Sequence, residues 1–125
     1  VLNFLASWCE PCAGEMSDLN ALYDMLGDQL VVVAVGVEDD DSLLRKFRDK
    51  YHVKFPFFHD KHGYAKVRYR LGGYPETFII DPDGKFVLFP DPENGMTPSL
   101  KFIGPRRWSS EEMIQIFQAI FKRNS

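Results

Sequence analysis

The chain has only two cysteines, Cys9 and Cys12, and they stand between an apolar run, Val1 to Ala6, and a stretch of helical periodicity. No other feature constrains the fold as strongly. The run reads as a buried strand. Met16, Leu19, Leu22, Tyr23 and Leu26 then recur at the spacing of one helix face, and Gly27 is a stop signal. Pro11 falls just inside the helix start, where its missing N–H costs nothing. A strand therefore delivers Cys9 to a helix N-terminus, where backbone N–H groups and the helix dipole favour a thiolate. Two cysteines this close cannot form a disulfide framework, so the pair is expected to be chemical rather than structural.

Composition removes several function classes. The 125 residues suit one domain, residues 1–125, with 45% apolar and 26% charged residues. A net charge of −3 gives no case for nucleic acid as a partner. The longest apolar run, Leu30 to Val37, is too short to span a bilayer. No Gly-rich phosphate loop is present, and no cofactor beyond a redox-active Cys9–Cys12 disulfide is expected. Val1 begins inside a core strand, so a strand, signal or membrane anchor is expected upstream.

Further along, Leu30 to Val37 reads as a strand covered on both faces. Asp39 to Asp41 can cap a helix carrying Leu43, Leu44, Phe47 and Tyr51 on one side. A short strand, Phe55 to Phe58, precedes a helix near 62–71 with Tyr64, Val67 and Leu71 inward. Gly72-Gly73-Tyr74-Pro75 then leads to a strand, Thr77 to Ile80. Asp81-Pro82-Asp83-Gly84 is a turn signal, and Lys85 to Phe89 is the expected return strand of a hairpin. Pro90 to Pro98 reads as a surface loop and Leu100 to Ile103 as a short strand. Ser109 and Glu112 form a capping-box pattern before a last helix with Met113, Ile116, Phe117 and Ile120 on its core face. Parallel early strands and an antiparallel hairpin imply an α/β protein with a central mixed β-sheet and helices on both faces.

These motifs together resemble a thioredoxin fold, and within it the TlpA/ResA/CcmG-type thiol–disulfide reductases of the bacterial cell envelope. The resemblance rests on Asn3-Phe4 with Ala6-Ser7-Trp8-Cys9-Glu10-Pro11-Cys12, on Val32 to Val37, on Phe55-Pro56, and on Gly73-Tyr74-Pro75-Glu76-Thr77-Phe78-Ile79-Ile80-Asp81. A helix inserted after the second strand also suits this branch. Cytosolic thioredoxins carry a buried Asp six residues before the first cysteine, whereas this chain has Asn3, as the envelope branch does. Glu15 stands where ResA-like proteins have an acid. Ser17 stands where the family often has a helix-kinking proline.

The resemblance implies a reductant of protein disulfides in the bacterial envelope. It would be recharged by a membrane thiol reductase, with apocytochrome c as a candidate client and cytochrome c maturation as the setting. Cys9 would be the nucleophile and Cys12 the resolving thiol. Negative charge near Cys9 disfavours its thiolate, so Glu10 and Glu15 would favour electron donation, with Glu15 near enough to exchange a proton with Cys12. The plainer reading makes both solvated first-turn acids. The family also implies a cis bond before Pro75, with the Tyr74 backbone pairing to substrate as an added strand. Trp8 is expected at the rim of the site or in the core.

Two rivals carry other functions: a cytosolic general thioredoxin or tryparedoxin-like reductase, and a non-catalytic module whose CxxC binds metal or partners. His59 and His62 complete a Cys2His2 set on paper, but their spacing matches no usual zinc pattern, so no metal is expected. Glu38 to Asp41 reads as helix cap and solvated face rather than a cation site. Arg106-Arg107-Trp108 reads as a connector with an anchoring tryptophan rather than a nucleic-acid contact.

Overall fold

The structure, a computed structural model, describes residues 1–37 and 40–123. Its elements in chain order are β1 (Leu2–Leu5), α1 (Glu10–Leu26), β2 (Val33–Val37), α2 (Asp41–Lys50), β3 (Phe57–Asp60) and α3 (Tyr64–Arg68). There follow β4 (Glu76–Phe78), β5 (Phe89–Asp91), a short 3-10 turn (Pro92–Asn94), β6 (Thr97–Ser99), β7 (Phe102–Ile103) and α4 (Glu111–Arg123). Five strands form one sheet in the order β3-β2-β1-β4-β7, while β5 and β6 pair separately. β1 and β2, and β2 and β3, run parallel; β4 is antiparallel to both β1 and β7. The sheet is therefore mixed.

Alternation along β1 sends Leu5 to one face and Phe4 to the other. On the Leu5 side lie Met16, Leu19 and Leu22 of α1, Leu44 and Phe47 of α2, and Met113, Phe117 and Ile120 of α4. On the Phe4 side a smaller cluster gathers Val37, Leu71 and Phe78, with Ala65 and Tyr69 packed against it. Helices thus cover both faces, and among the described residues the helix on the second is α3. α1 runs unbroken through Ser17, which is exposed.

Several expected elements move, each for a local reason. β3 starts two residues later than the Phe55–Phe58 strand expected, because Pro56 has no N–H to place in a ladder; its carbonyl still accepts from Ala34 N–H at 3.0 Å. Asp40 caps α2 by accepting from Ser42 N–H at 3.0 Å, while Glu38 and Asp39 lie outside the described residues. Leu43 points outward, leaving Leu44 and Phe47 as the buried pair of α2.

α3 is a short helix rather than one spanning 62–71, and Asp60 sets its start by accepting from the N–H groups of Tyr64 and Ala65. That phase turns Val67 (79% exposed) and Tyr64 to solvent and brings in Ala65 and Tyr69 instead. The turn at Asp81 forms, with Gly84 at φ +83° and Asp81 Oδ1 accepting from Asp83 and Lys85 N–H. Its return strand does not. Only an isolated bridge, Ile80 to Phe86, follows, because Phe89 packs against Phe102 and Phe117 in the larger core and draws the chain off the sheet. The edge beside β4 is taken by β7, and the supposed loop Pro90 to Pro98 is largely the β5–β6 ribbon. The helix cap also shifts by one residue: Ser110, not Ser109, accepts from Met113 N–H.

Gly36 of β2 lies directly under Leu44, and a β-carbon there would overlap the leucine side chain. Gly36→Ala is therefore expected to lower stability by about 1–3 kcal/mol through overpacking, read as a lower urea midpoint with an unchanged m-value.

Candidate active site

Cys9 is the N-cap of α1, with an extended backbone at φ −92° and ψ 107°. Its sulfur accepts from Cys12 N–H at 3.2 Å, and its own N–H donates to Ala6 O at 3.2 Å, which ties the cap to the end of β1. The two cysteines are joined as a disulfide with Cα atoms 5.3 Å apart. They are not equivalent: Cys9 keeps 5% exposure and Cys12 has none. Pro11 and Glu10 occupy the first turn and face solvent.

The opposite wall comes from the approach to β4. The Tyr74–Pro75 bond is cis. Tyr74 O lies 3.4 Å from Cys9 Sγ, a contact that a reduced thiol can turn into a hydrogen bond by donating its proton. Trp8 is 65% exposed and meets the Tyr74 ring edge-on at 5.7 Å, so of its two expected places it takes the rim. The loop before Tyr74 is held from behind. Buried Glu76 accepts from Gly72 N–H at 3.0 Å and pairs with Lys101 at 3.1 Å, whose ammonium also donates to Arg70 O at 2.7 Å.

Behind Cys12, one helical turn on, Glu15 is only 2% exposed, which removes the plainer reading of it as a solvated acid. Asn3 Nδ2 donates to its Oε1 at 2.9 Å and to Thr77 Oγ1 at 2.9 Å. Oε2 accepts from Arg106 N–H at 2.9 Å and from the Trp108 indole N–H at 2.8 Å. Burial pushes the Glu15 carboxyl up to about 6 against the opposing pull of these donors and of the nearby guanidinium. Asn3 Oδ1, also buried, has no hydrogen-bond partner among the described residues.

The structure thus gathers Trp8, Cys9, Cys12, Glu15, Tyr74 and Pro75 in one place, with Glu10 and Pro11 on its outer lip. It adds Thr77, Arg106 and Trp108, which sequence reasoning had not tied to the site. The available signal was chemical: a glutamate on the buried face of α1 needs donors, and one of the chain's two tryptophans stands beside an arginine ahead of the last helix. His59 lies instead 3.5 Å from Asp41, and among the described residues no group of three His, Cys, Asp or Glu side chains is placed to hold a metal ion.

A mixed sheet whose central strand runs into a CxxC at a helix start, faced by the Tyr74–Pro75 segment, defines a protein of the thioredoxin-like class carrying a dithiol site. The sequence model of the AhpC/TSA family matches residues 1–88, and the chain belongs to that family. It is 38% identical over 86 residues to the thiol-disulfide oxidoreductase ResA of Oceanobacillus iheyensis, covering 68% of this chain and 45% of that protein. It is 39% identical over 87 residues to the thioredoxin-like protein YneN of Bacillus subtilis, covering 67% and 51%. The chain therefore spans about half the length of these curated relatives. Among solved structures, a putative thiol:disulfide interchange protein DsbE from Chlorobium tepidum superposes with a TM-score of 0.70 at 28% identity, over 96% of this chain and 77% of that one.

The raised Glu15 pKa has a consequence for stability. A carboxyl with a higher pKa in the folded state binds its proton more tightly there, so its stabilising contribution is complete below about pH 4.5 and is lost as pH rises through about 6. Relative to Glu15→Gln, the unsubstituted protein should lose about 2 kcal/mol between pH 4.5 and 7.5, measured by urea denaturation at both values.

Proposed function

We propose that the protein is a thiol–disulfide oxidoreductase that reduces disulfides of protein substrates. The observation that carries this reading is the asymmetric Cys9–Cys12 disulfide, capped on α1 and walled by Tyr74 and cis-Pro75. In the reduced protein the Cys9 thiolate, stabilised by Cys12 N–H and the helix dipole, attacks a substrate disulfide. One substrate sulfur leaves as a thiolate and takes up a proton, and the other stays bonded to Cys9. Cys12 then attacks Cys9 Sγ, its thiol proton passing to Glu15. The Cys9–Cys12 bond forms, the mixed disulfide breaks, and the second substrate sulfur leaves as a thiol once protonated. Two electrons have moved from the protein to the client, and a donor must restore the dithiol.

Trp8 and the Tyr74 backbone receive the substrate chain, the latter as a strand-like edge. The direction is reductive. The acidic side chains of Glu10 and Glu15 oppose a strongly stabilised thiolate, which lowers the reduction potential. Asn3, Glu15 and the inserted α2 support a place among the envelope reductases. The corresponding location is extracytoplasmic, tethered through a membrane anchor outside this sequence. The electron donor is then a membrane thiol reductase, and the candidate client is apocytochrome c.

Cys9→Ala should abolish reduction of insulin disulfides, and Cys12→Ala should accumulate a mixed disulfide that can be isolated and its client identified. The Cys9–Cys12 midpoint potential should fall nearer about −270 mV than about −120 mV. A value at the oxidising end would overturn the reductive direction, and a fully active Cys9→Ala variant would overturn the assignment itself.

A further inference from the structure

Glu15 receives two of its three donors from a segment far along the chain, beyond residues 1–88 that match the family model. Both converge on one oxygen, Oε2. We propose that Trp108 and the Asp91–Arg106 ion pair are positioning residues for the thiol chemistry, holding the Glu15 carboxylate in one orientation beside Cys12. This inference rests on the dithiol reading above.

The indole N–H can only donate, as can the Arg106 backbone N–H. Neither can accept a proton from a carboxylic acid, so Oε2 stays proton-free in either state and the proton comes and goes at Oε1. There the partner is Asn3. Its Nδ2 donates to the carboxylate there and keeps its bond to Thr77 Oγ1 when Oε1 takes the proton.

The backbone at Arg106 is itself fixed. Its guanidinium grips both oxygens of Asp91 on β5 at 3.0 and 2.8 Å, pairs with Glu93 at 3.2 Å, and donates to the carbonyls of Ile103 and Pro105 at 3.0 Å each. Trp108 is fully buried, edge-on to Phe102 at 5.3 Å. The β5–β6 ribbon is thereby the anchor of a clamp that closes on the carboxylate.

The groups facing Glu15 are few. Among the described residues Arg106 is the charged one, and Asp91 and Glu93 lie behind it, on its guanidinium. β1 and β4 contribute the neutral Asn3 and Thr77, whereas Glu76 and Lys101 lie on the opposite face of the sheet, by the Phe78 ring. On its own helix Glu15 has Cys12, which titrates only when reduced.

The test needs no substitution at first. In the oxidised protein the Trp108 indole N–H resonance should titrate with a midpoint near pH 6, in step with the Glu15 carboxyl carbon, while the exposed indole of Trp8 serves as reference. Glu15→Gln should abolish that titration. Trp108→Phe keeps an aromatic ring and deletes the donor, so the Glu15 midpoint should rise by about one pH unit, since a hydrogen bond to a charge is lost. The pH profile for resolving a Cys9 mixed disulfide should move with it, with resolution about tenfold slower below the inflection.

A pH-silent Trp108 indole beside a titrating Glu15 would overturn the clamp while leaving the dithiol reading intact. So would a folded Trp108→Phe variant with both profiles unmoved. A titrating indole in a protein unable to exchange disulfides would overturn the dithiol reading, and with it the clamp's role in thiol chemistry.

Discussion

The buried carboxylate of Glu15 imposes more on this protein than any other single group. An ionised side chain on the core face of α1 is tolerable only if donors reach both oxygens, and no residue of α1 supplies one. The central strand accordingly carries Asn3 among its apolar neighbours, and Thr77 on the next strand supports it. The connector before α4 turns inward to offer a backbone N–H and an indole. β1, α1 and the connector before α4 thus meet at one carboxylate directly behind the disulfide, and β4 joins them through the Asn3–Thr77 bond.

Legibility in the sequence followed the range of the interactions. The strand–CxxC–helix unit was readable because its determinants are adjacent: an apolar run, a capping cysteine, Pro11 in the first turn and a regular apolar stripe. α3 misled because a short helix takes its phase from its cap, and Asp60 places that cap so that Tyr64 and Val67 face water. The hairpin misled for the opposite reason. Its turn chemistry is correct and local, but the fate of the strand after it depends on Phe89 reaching Phe102 and Phe117, a contact no local pattern encodes.

The site divides in the same way. Cys9, Cys12, Tyr74 and Pro75 could be named from short motifs. The Trp108 contact joins residues 93 positions apart, and a tryptophan beside two arginines reads only as the anchor of a connector until the buried acid it serves is in view. Lys101 and Glu76 are of the same kind. They hold the loop bearing Tyr74 from behind, and neither touches the sulfurs.

Cys9 Sγ stands between a donor, Cys12 N–H at 3.2 Å, and an acceptor, Tyr74 O at 3.4 Å. A thiolate finds its partner in the first and a thiol in the second, so the sulfur itself has a counterpart in either protonation state. In the language of charge-transfer reactions, the Cys12 N–H dipole is oriented for the anion before the proton leaves, which reduces the reorganisation needed at that end of the step.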